Sequence, residues 1–248
     1  MKLKDRIAIV TGGGRGIGRA IALAYAREGA HVVVAALTAN EIEAVAEEVR
    51  GLDRRALAVL TDVADPAQVE RMVQRTLDEF GAVDILVNNA GVVYVEPVVD
   101  MPLAHFDLIM DVNLRAAFVA CKAVLPTMIE RRRGRIINIS SESGKFGAPR
   151  YAAYCASKFA LNGFTESLAL EVMKYGIRVN AVSPGAVDTR MARGPKEEAG
   201  TAERMAGWMQ PEDIAGAAVF LASDEADMVI GACLEVFGIV RPGWNLGD

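Results

Sequence analysis

Apolar runs alternate with stretches of helical periodicity along the whole chain. Runs at Ile7–Thr11, His31–Ala36, Ala56–Thr61, Ile85–Asn88, Arg135–Ser140 and Arg178–Val182 predict strands, with a last short strand near Leu234–Phe237. Most of these runs are continuously apolar rather than alternating, which predicts strands covered on both faces, as in a parallel sheet. The segments Gly16–Glu28, Asn40–Arg50, Pro66–Phe80, Leu103–Arg133, Tyr151–Lys174 and Pro211–Ala222 predict helices. Pro66, Pro102 and Pro211 stand where a first helical residue would. Strand–helix alternation with right-handed crossovers predicts an α/β fold, a doubly wound parallel sheet in a three-layer α/β/α sandwich. One domain is expected over residues 1–248, with no repeat, low-complexity tract or linker.

In such a sheet ligands bind at the carboxyl ends of the strands. The unusual residues lie there: Thr11-Gly-Gly-Gly-Arg-Gly-Ile-Gly18, Asp62-Val63, Asn88-Asn-Ala-Gly91, Ser140-Ser141 and Ser183-Pro-Gly185. A glycine turn entering a helix lets backbone approach a phosphate, and the helix amino end favours the anion. The spacing Gly12-x3-Gly16-x-Gly18 departs from the strict GxGxxG fingerprint, and a tight strand-to-helix connection is the alternative. Asp62 is either a helix cap ahead of Pro66 or a partner for an adenine amino group. Asn88 reads as a structural brace; Asn89, Ala90 and Gly91 read as backbone that a cofactor passes. Asn113 interrupts the apolar stripe of a long helix. It needs buried partners: an internal hydrogen bond to backbone and, compatibly with it, a water that relays protons to Lys158.

Ser141 ends the fifth strand, Tyr154 follows thirteen residues on, and Lys158 four further. Residues four apart share a helical face. A free phenol has a pKa of about 10, and a nearby cation lowers it. Such a Tyr can exchange a proton with a carbonyl or alcohol oxygen, which a hydroxyl like Ser141 can hold. A Tyr–Lys pair alone is more often a packed ring and a solvated ammonium.

Composition narrows the field. The 248 residues carry a net charge of −5, which argues against general nucleic-acid or anionic-membrane binding. No apolar run reaches membrane-span length, and no signal-peptide pattern stands at Met1 to Arg6. Cys121, Cys155 and Cys233 lack CxxC spacing and read as reduced thiols, which implies a cytoplasmic protein. Two scattered histidines, His31 and His105, offer no metal site.

In combination, TGGGRGIG at 11–18, NNAG at 88–91, Asn113, Ser141, YCASK at 154–158 and PG at 184–185 resemble the short-chain dehydrogenases/reductases. The resemblance runs from Ile7 to about Val236 and includes 3-oxoacyl-carrier-protein reductases and alcohol or sugar dehydrogenases. It implies a Rossmann-type fold and an enzyme interconverting a ketone and a secondary alcohol with a nicotinamide cofactor. By resemblance, Tyr154 is the general acid/base, Lys158 lowers its pKa and holds the nicotinamide ribose, Ser141 orients the substrate oxygen and Asn113 maintains a proton-relay water. Gly12, Gly16, Ile17 and Gly18 would line the phosphates, Asp62 and Val63 the adenine, Asn89, Ala90 and Gly91 the adenine ribose side, and Pro184, Gly185, Val187 and Thr189 the nicotinamide. The family's last strand often ends in Val-Asp-Gly-Gly; here it reads Val236-Phe-Gly-Ile239.

NAD-binding folds usually place an acid about 20 residues past the glycine loop. This chain has Ala35-Ala36-Leu37-Thr38 there, and Arg15 within the loop offers a charge to a 2′-phosphate. NADP is therefore expected over NAD, although Leu37 replaces the second basic residue many NADP-preferring relatives carry. Residues 189–210 would form a variable substrate loop or lid, a solvated connector being the alternative. Met191, Met205, Trp208, Met209, Tyr94, Glu96, Arg150 and Tyr151 are candidate pocket walls. The small residues Ala152, Ala153, Ala156 and Ala160, with the family's helix-paired dimers, suggest a homotetramer. Arg131–Arg133 could dock an acidic acyl-carrier protein, or complement a helix carboxyl end. A catalytically silent nucleotide sensor is the remaining alternative, and it would be expected to lose Tyr154 or Lys158.

Overall fold

The computed structural model describes residues 1–193 and 207–238. Met205, most of the 189–210 loop segment and Ile239 lie outside the described residues. Seven parallel strands form one sheet in the order β3-β2-β1-β4-β5-β6-β7. They are β1 (Ile7–Thr11), β2 (His31–Ala36), β3 (Ala56–Leu60), β4 (Ile85–Asn88), β5 (Gly134–Ile139), β6 (Ile177–Pro184) and β7 (Cys233–Val236). The helices are α1 (Gly16–Arg27), α2 (Ala39–Arg50), α3 (Pro66–Phe80), α4 (Leu103–Met110), α5 (Ala116–Glu130), α6 (Ala152–Val172), α7 (Arg190–Arg193) and α8 (Pro211–Ala222).

The uninterrupted apolar runs have the expected physical cause. Ala8 and Val10 face one layer of helices while Ile9 faces the other, and all three are fully buried. One layer packs α1, α2 and α8 on the sheet; the Tyr25 hydroxyl donates to Ala218 O at 3.0 Å to join α1 to α8. The opposite layer packs α3, α5 and α6. Strand order reverses between β1 and β4, which opens the crevice above their carboxyl ends.

Three local expectations change. Pro66 and Pro211 are first helical residues, but Pro102 is the extended cap residue ahead of α4, with φ −61° and ψ 139°. The helix expected over Leu103–Arg133 is interrupted by a π turn at Asp111–Arg115, where the Ala116 N–H reaches back to Asp111 O. The cap of α3 is Asp65, which accepts from the Ala67 N–H at 2.9 Å. Asp62 instead closes a turn of its own by accepting from the Ala64 N–H at 2.9 Å.

Candidate active site

The glycine loop joins β1 to α1 at the switch point. Gly12 has φ +62°, and a Cβ there would lie 2.8 Å from Asn89 Nδ2; a Cβ on Gly18 would lie 2.2 Å from Gly12 O. Gly18 is thus the residue that lets the helix close on the loop, and it is buried. Gly12, Gly16 and Ile17 stay partly exposed. Arg15 precedes α1 with no side-chain cap, and no acid occupies the first turn. The first N–H groups of a helix lack intrahelical partners and favour an anion. This uncapped end suits a pyrophosphate.

Across the switch point, β4 is tied to β1. The Thr11 hydroxyl donates to Val87 O at 3.2 Å and accepts from the Asn89 and Ala90 N–H groups at 3.0 and 3.1 Å. Asn89 Nδ2 donates to Thr11 O at 2.8 Å and Gly12 O at 3.2 Å. Asn89 therefore braces the glycine loop with its side chain as well as its backbone. Asn88 is also a brace, donating to Asn138 Oδ1 at 2.8 Å, and Asn138 donates onward to Thr165 Oγ1 at 2.8 Å. Thr11, Asn138 and Thr165 are further site supports; Thr11 and Asn138 are buried polar residues near strand tips, and Thr165 is one on α6.

The catalytic candidates gather beside this. Ser141 leaves β5, accepts from the Ser143 N–H at 3.1 Å, and stands beside the Tyr154 phenol. Lys158 is buried one turn along α6, donating to Ile139 O at 2.8 Å, with Nζ 5.7 Å from the Tyr154 ring centroid. A Cβ on Gly91 would lie 3.4 Å from Asn113 Oδ1 and 3.9 Å from Lys158 Nζ. Asn113, Ser141, Tyr154 and Lys158 are thus brought to one end of the crevice.

Burial dominates the electrostatics of this cluster. Loss of solvent pushes the half-buried phenol up to about 12, opposed by the Ser141 hydroxyl beside it. Burial also lowers Lys158 to about 8. At neutral pH the phenol keeps its proton. The Asn113 side chain is satisfied by protein: its Oδ1 accepts from the Val92 N–H at 2.8 Å, and Nδ2 donates to Val92 O at 2.9 Å and Ser157 Oγ at 3.1 Å. Ser157 in turn donates to Tyr154 O at 2.7 Å. Asn113 is a brace between the strap after β4 and the helix bearing Tyr154.

Toward the substrate end, Tyr151 meets Tyr154 edge-on with ring centroids 6.3 Å apart. Tyr94 stacks on His105 at 3.9 Å, and His105 Nδ1 lies 3.0 Å from Glu96 Oε2. Arg150, at φ +70°, donates to Val95 O at 3.1 Å, and the Glu96 N–H donates to Arg150 O at 3.0 Å. The Tyr94–Glu96 strap and the Arg150–Tyr151 turn therefore form one joined wall. Glu142 follows Ser141, half-buried, its carboxyl raised by burial.

The remaining cofactor candidates separate into lining and support. The Val63 side chain belongs to the core, as does Val187, which bridges Met209. Met209 is likewise core rather than pocket wall. Pro184 is buried, and the Gly185 N–H donates to Val236 O at 2.9 Å. Thr189 stands over the glycine loop, its Cγ2 3.4 Å from a Cβ built on Gly16. Leu37 is 68% exposed at the end of β2. The Arg131–Arg133 cluster precedes β5. It sits at the opposite end of β5 from Ser141, separated by a six-residue strand, roughly 20 Å. Arg131 pairs with Asp84 at 3.1 Å and Arg132 donates to Lys174 O at 2.8 Å, so this cluster serves local structure and does not border the site.

A doubly wound sheet with an uncapped glycine-loop helix and a Ser–Tyr–Lys cluster at its switch point defines a dinucleotide-dependent oxidoreductase. The chain belongs to the short-chain dehydrogenase/reductase family, whose members act on alcohol and carbonyl groups with a nicotinamide cofactor: the short chain dehydrogenase family model matches residues 6–200. It is 40% identical over 243 residues to the D-threitol dehydrogenase of Mycolicibacterium smegmatis, covering 96% of this chain and 93% of that one. It is 40% identical over 245 residues to the 3-oxoacyl-acyl-carrier-protein reductase FabG of Escherichia coli, covering 96% and 98%. A solved structure of a blue fluorescent protein from a metagenomic library, in complex with NADPH, superimposes with a TM-score of 0.88 at 38% identity, covering 96% and 98%. No helix among the described residues is long and apolar enough to cross a membrane.

Proposed function

We propose that this protein is an NADP-preferring oxidoreductase of small, neutral hydroxy-ketones or polyols, with Tyr154 as general acid/base. The observation that carries the chemistry is the gathering of Ser141 and Tyr154 beside a buried, anchored Lys158 at one end of the crevice. When bound, the nicotinamide supplies or accepts a hydride. The protein's own groups handle the oxygen and the proton. Ser141 positions the substrate oxygen. Tyr154, protonated at neutral pH, donates to the oxygen of a ketone during reduction and must lose its proton for alcohol oxidation. Lys158, anchored on Ile139 O, presents its charge toward the Gly91 side, where the ribose would lie.

The cofactor reading rests on the absence of an acid in Ala35-Ala36-Leu37-Thr38, on Arg15 and on the uncapped α1 terminus. Gly12, Gly16, Ile17, Asp62, the backbone at Val63 and Asn89–Gly91, Leu37, Gly185 and Thr189 are the residues we assign to its walls. One domain would hold both cofactor and substrate, with the loop over 189–210 closing the site. Two acids at the substrate end, Glu142 and Glu96, favour a neutral hydroxylated substrate, and the misplaced Arg131–Arg133 cluster removes the argument for carrier docking there. The D-threitol dehydrogenase likeness agrees with this reading. Exposed apolar side chains on α4–α6, namely Leu103, Phe106, Phe118 and Phe159, support a homotetramer built on two-fold axes. Ala153, buried within its own protomer, is not part of that surface.

The test is a panel of C4–C6 polyols with NADP and the matching ketoses with NADPH, run beside a 3-oxoacyl thioester on carrier protein. A kcat/KM for the thioester that exceeds every polyol and ketose by tenfold would reassign the substrate. No nicotinamide absorbance change with any of them would favour the silent sensor.

A further inference from the structure

The second cation that a 2′-phosphate site calls for is missing at Leu37, yet the fold brings one from elsewhere. Glu41, in the first turn of α2, presses on the glycine loop: a Cβ on Gly14 would lie 3.0 Å from Glu41 Cβ. Its two carboxylate oxygens each accept from Arg15 Nη1 at 3.2 Å. Arg190 Nη1 lies 3.5 Å from the same carboxylate, although it is 149 residues away in sequence. Two guanidiniums therefore converge on one carboxylate beside the end of β2, where the ribose of a dinucleotide is read. Like charges repel, so an anion between them is what holds them together, and the triad carries one net positive charge. Arg15 is 55% exposed and Arg190 70%. Exposed pairs of this kind contribute little to stability, so the carboxylate can be exchanged for a ligand at small cost.

We propose that Arg190 is the second cation of the 2′-phosphate site, with Glu41 as the stand-in anion that the phosphate displaces. This rests on the NADP reading above. A phosphate monoester carries up to two negative charges and three acceptor oxygens, and guanidinium pairs with it in bidentate fashion. It therefore competes with a single carboxylate for Arg15 and Arg190. A 2′-hydroxyl brings no charge and leaves Glu41 in place. Because Arg190 begins α7, directly after Thr189, the same contact would tie the start of the substrate loop to the cofactor's adenosine end. Sequence spacing gives no hint of this, since the missing base is supplied by a residue at the far end of the chain.

Calorimetric titration of the whole protein with adenosine 2′,5′-bisphosphate and with 5′-AMP tests the site without turnover. The wild type is expected to prefer the bisphosphate. Arg190→Gln should narrow that preference about three- to fivefold, the scale of one exposed charge pair, while leaving 5′-AMP affinity unchanged. Glu41→Gln should widen it by a similar factor. A wild type with no preference would overturn the NADP reading, and this proposal with it. A wild-type preference that survives Arg190→Gln in full but collapses in Arg15→Gln would keep the NADP reading and overturn the role of Arg190. Weaker 5′-AMP binding in Glu41→Gln would show the carboxylate on the ribose hydroxyl and end the stand-in assignment.

Discussion

Lys158 is the side chain whose replacement is most informative. It is 4% exposed, its ammonium donates to Ile139 O at 2.8 Å, and burial lowers it from its ordinary 10.5 to about 8. A displacement of that size corresponds to roughly 3 kcal/mol against the charged form. The folded protein holds this proton less tightly than the unfolded chain. Below about pH 8 the penalty is therefore present in full, and stability rises as pH climbs from about 8 toward 10.5. Lys158→Met keeps the length of the side chain and removes the charge. It also leaves the Ile139 carbonyl without its donor, which costs about 1 kcal/mol. The variant should be about 2 kcal/mol more stable than wild type at pH 7. The gain should vanish near pH 10, where the wild-type lysine is largely neutral. Urea unfolding at the two pH values, at one fixed protein concentration because assembly shifts apparent stability, measures both. A variant no more stable than wild type at pH 7, or a gain that persists at pH 10, would refute the reasoning. The same variant should lose turnover, since a lysine kept at the expense of stability is expected where function needs it.

Tyr154→Phe should lower turnover by about 100- to 10,000-fold while cofactor affinity, read by fluorescence titration, stays near wild type; retained turnover would remove Tyr154 from the mechanism. With Tyr154 near 12 and Lys158 near 8, the carbonyl-reduction rate should be flat from pH 6 to 7, below the lysine's titration, whereas alcohol oxidation should climb with pH over that range as the phenolate forms; an oxidation rate that does not rise there would contradict this. Ala36→Asp should reverse the NADPH preference in kcat/KM by adding repulsion against the 2′-phosphate and a partner for the hydroxyl, and a wild type that already favours NADH would sink the premise. Light scattering at micromolar concentration should give a tetramer, and a monomer would refute the assembly.

The sheet, its strand limits and the location of the site could be read from the chain because they depend on local pattern. A continuously apolar run between helical segments has one comfortable place, a parallel strand covered on both faces, and glycines and polar residues at its end mark the ligand rim. The four-residue spacing of Tyr154 and Lys158 likewise fixes their common face without tertiary information. What the sequence could not decide was where each polar group finds its partner. Asn113 finds its brace partners because the π turn delivers its amide to Val92 and Ser157. The net Tyr154 pKa is set by burial, which depends on how many atoms surround the phenol, and Lys158 is itself desolvated on the same rim. The Arg131–Arg133 cluster pairs locally with Asp84 and Lys174 at the amino end of β5, away from the ligand rim. Arg15 met Glu41 and Arg190 only because folding closes 26- and 149-residue separations onto one carboxylate. Periodicity is a property of neighbours along the chain; charge pairing and burial are properties of neighbours in space, and only the packed structure sets those.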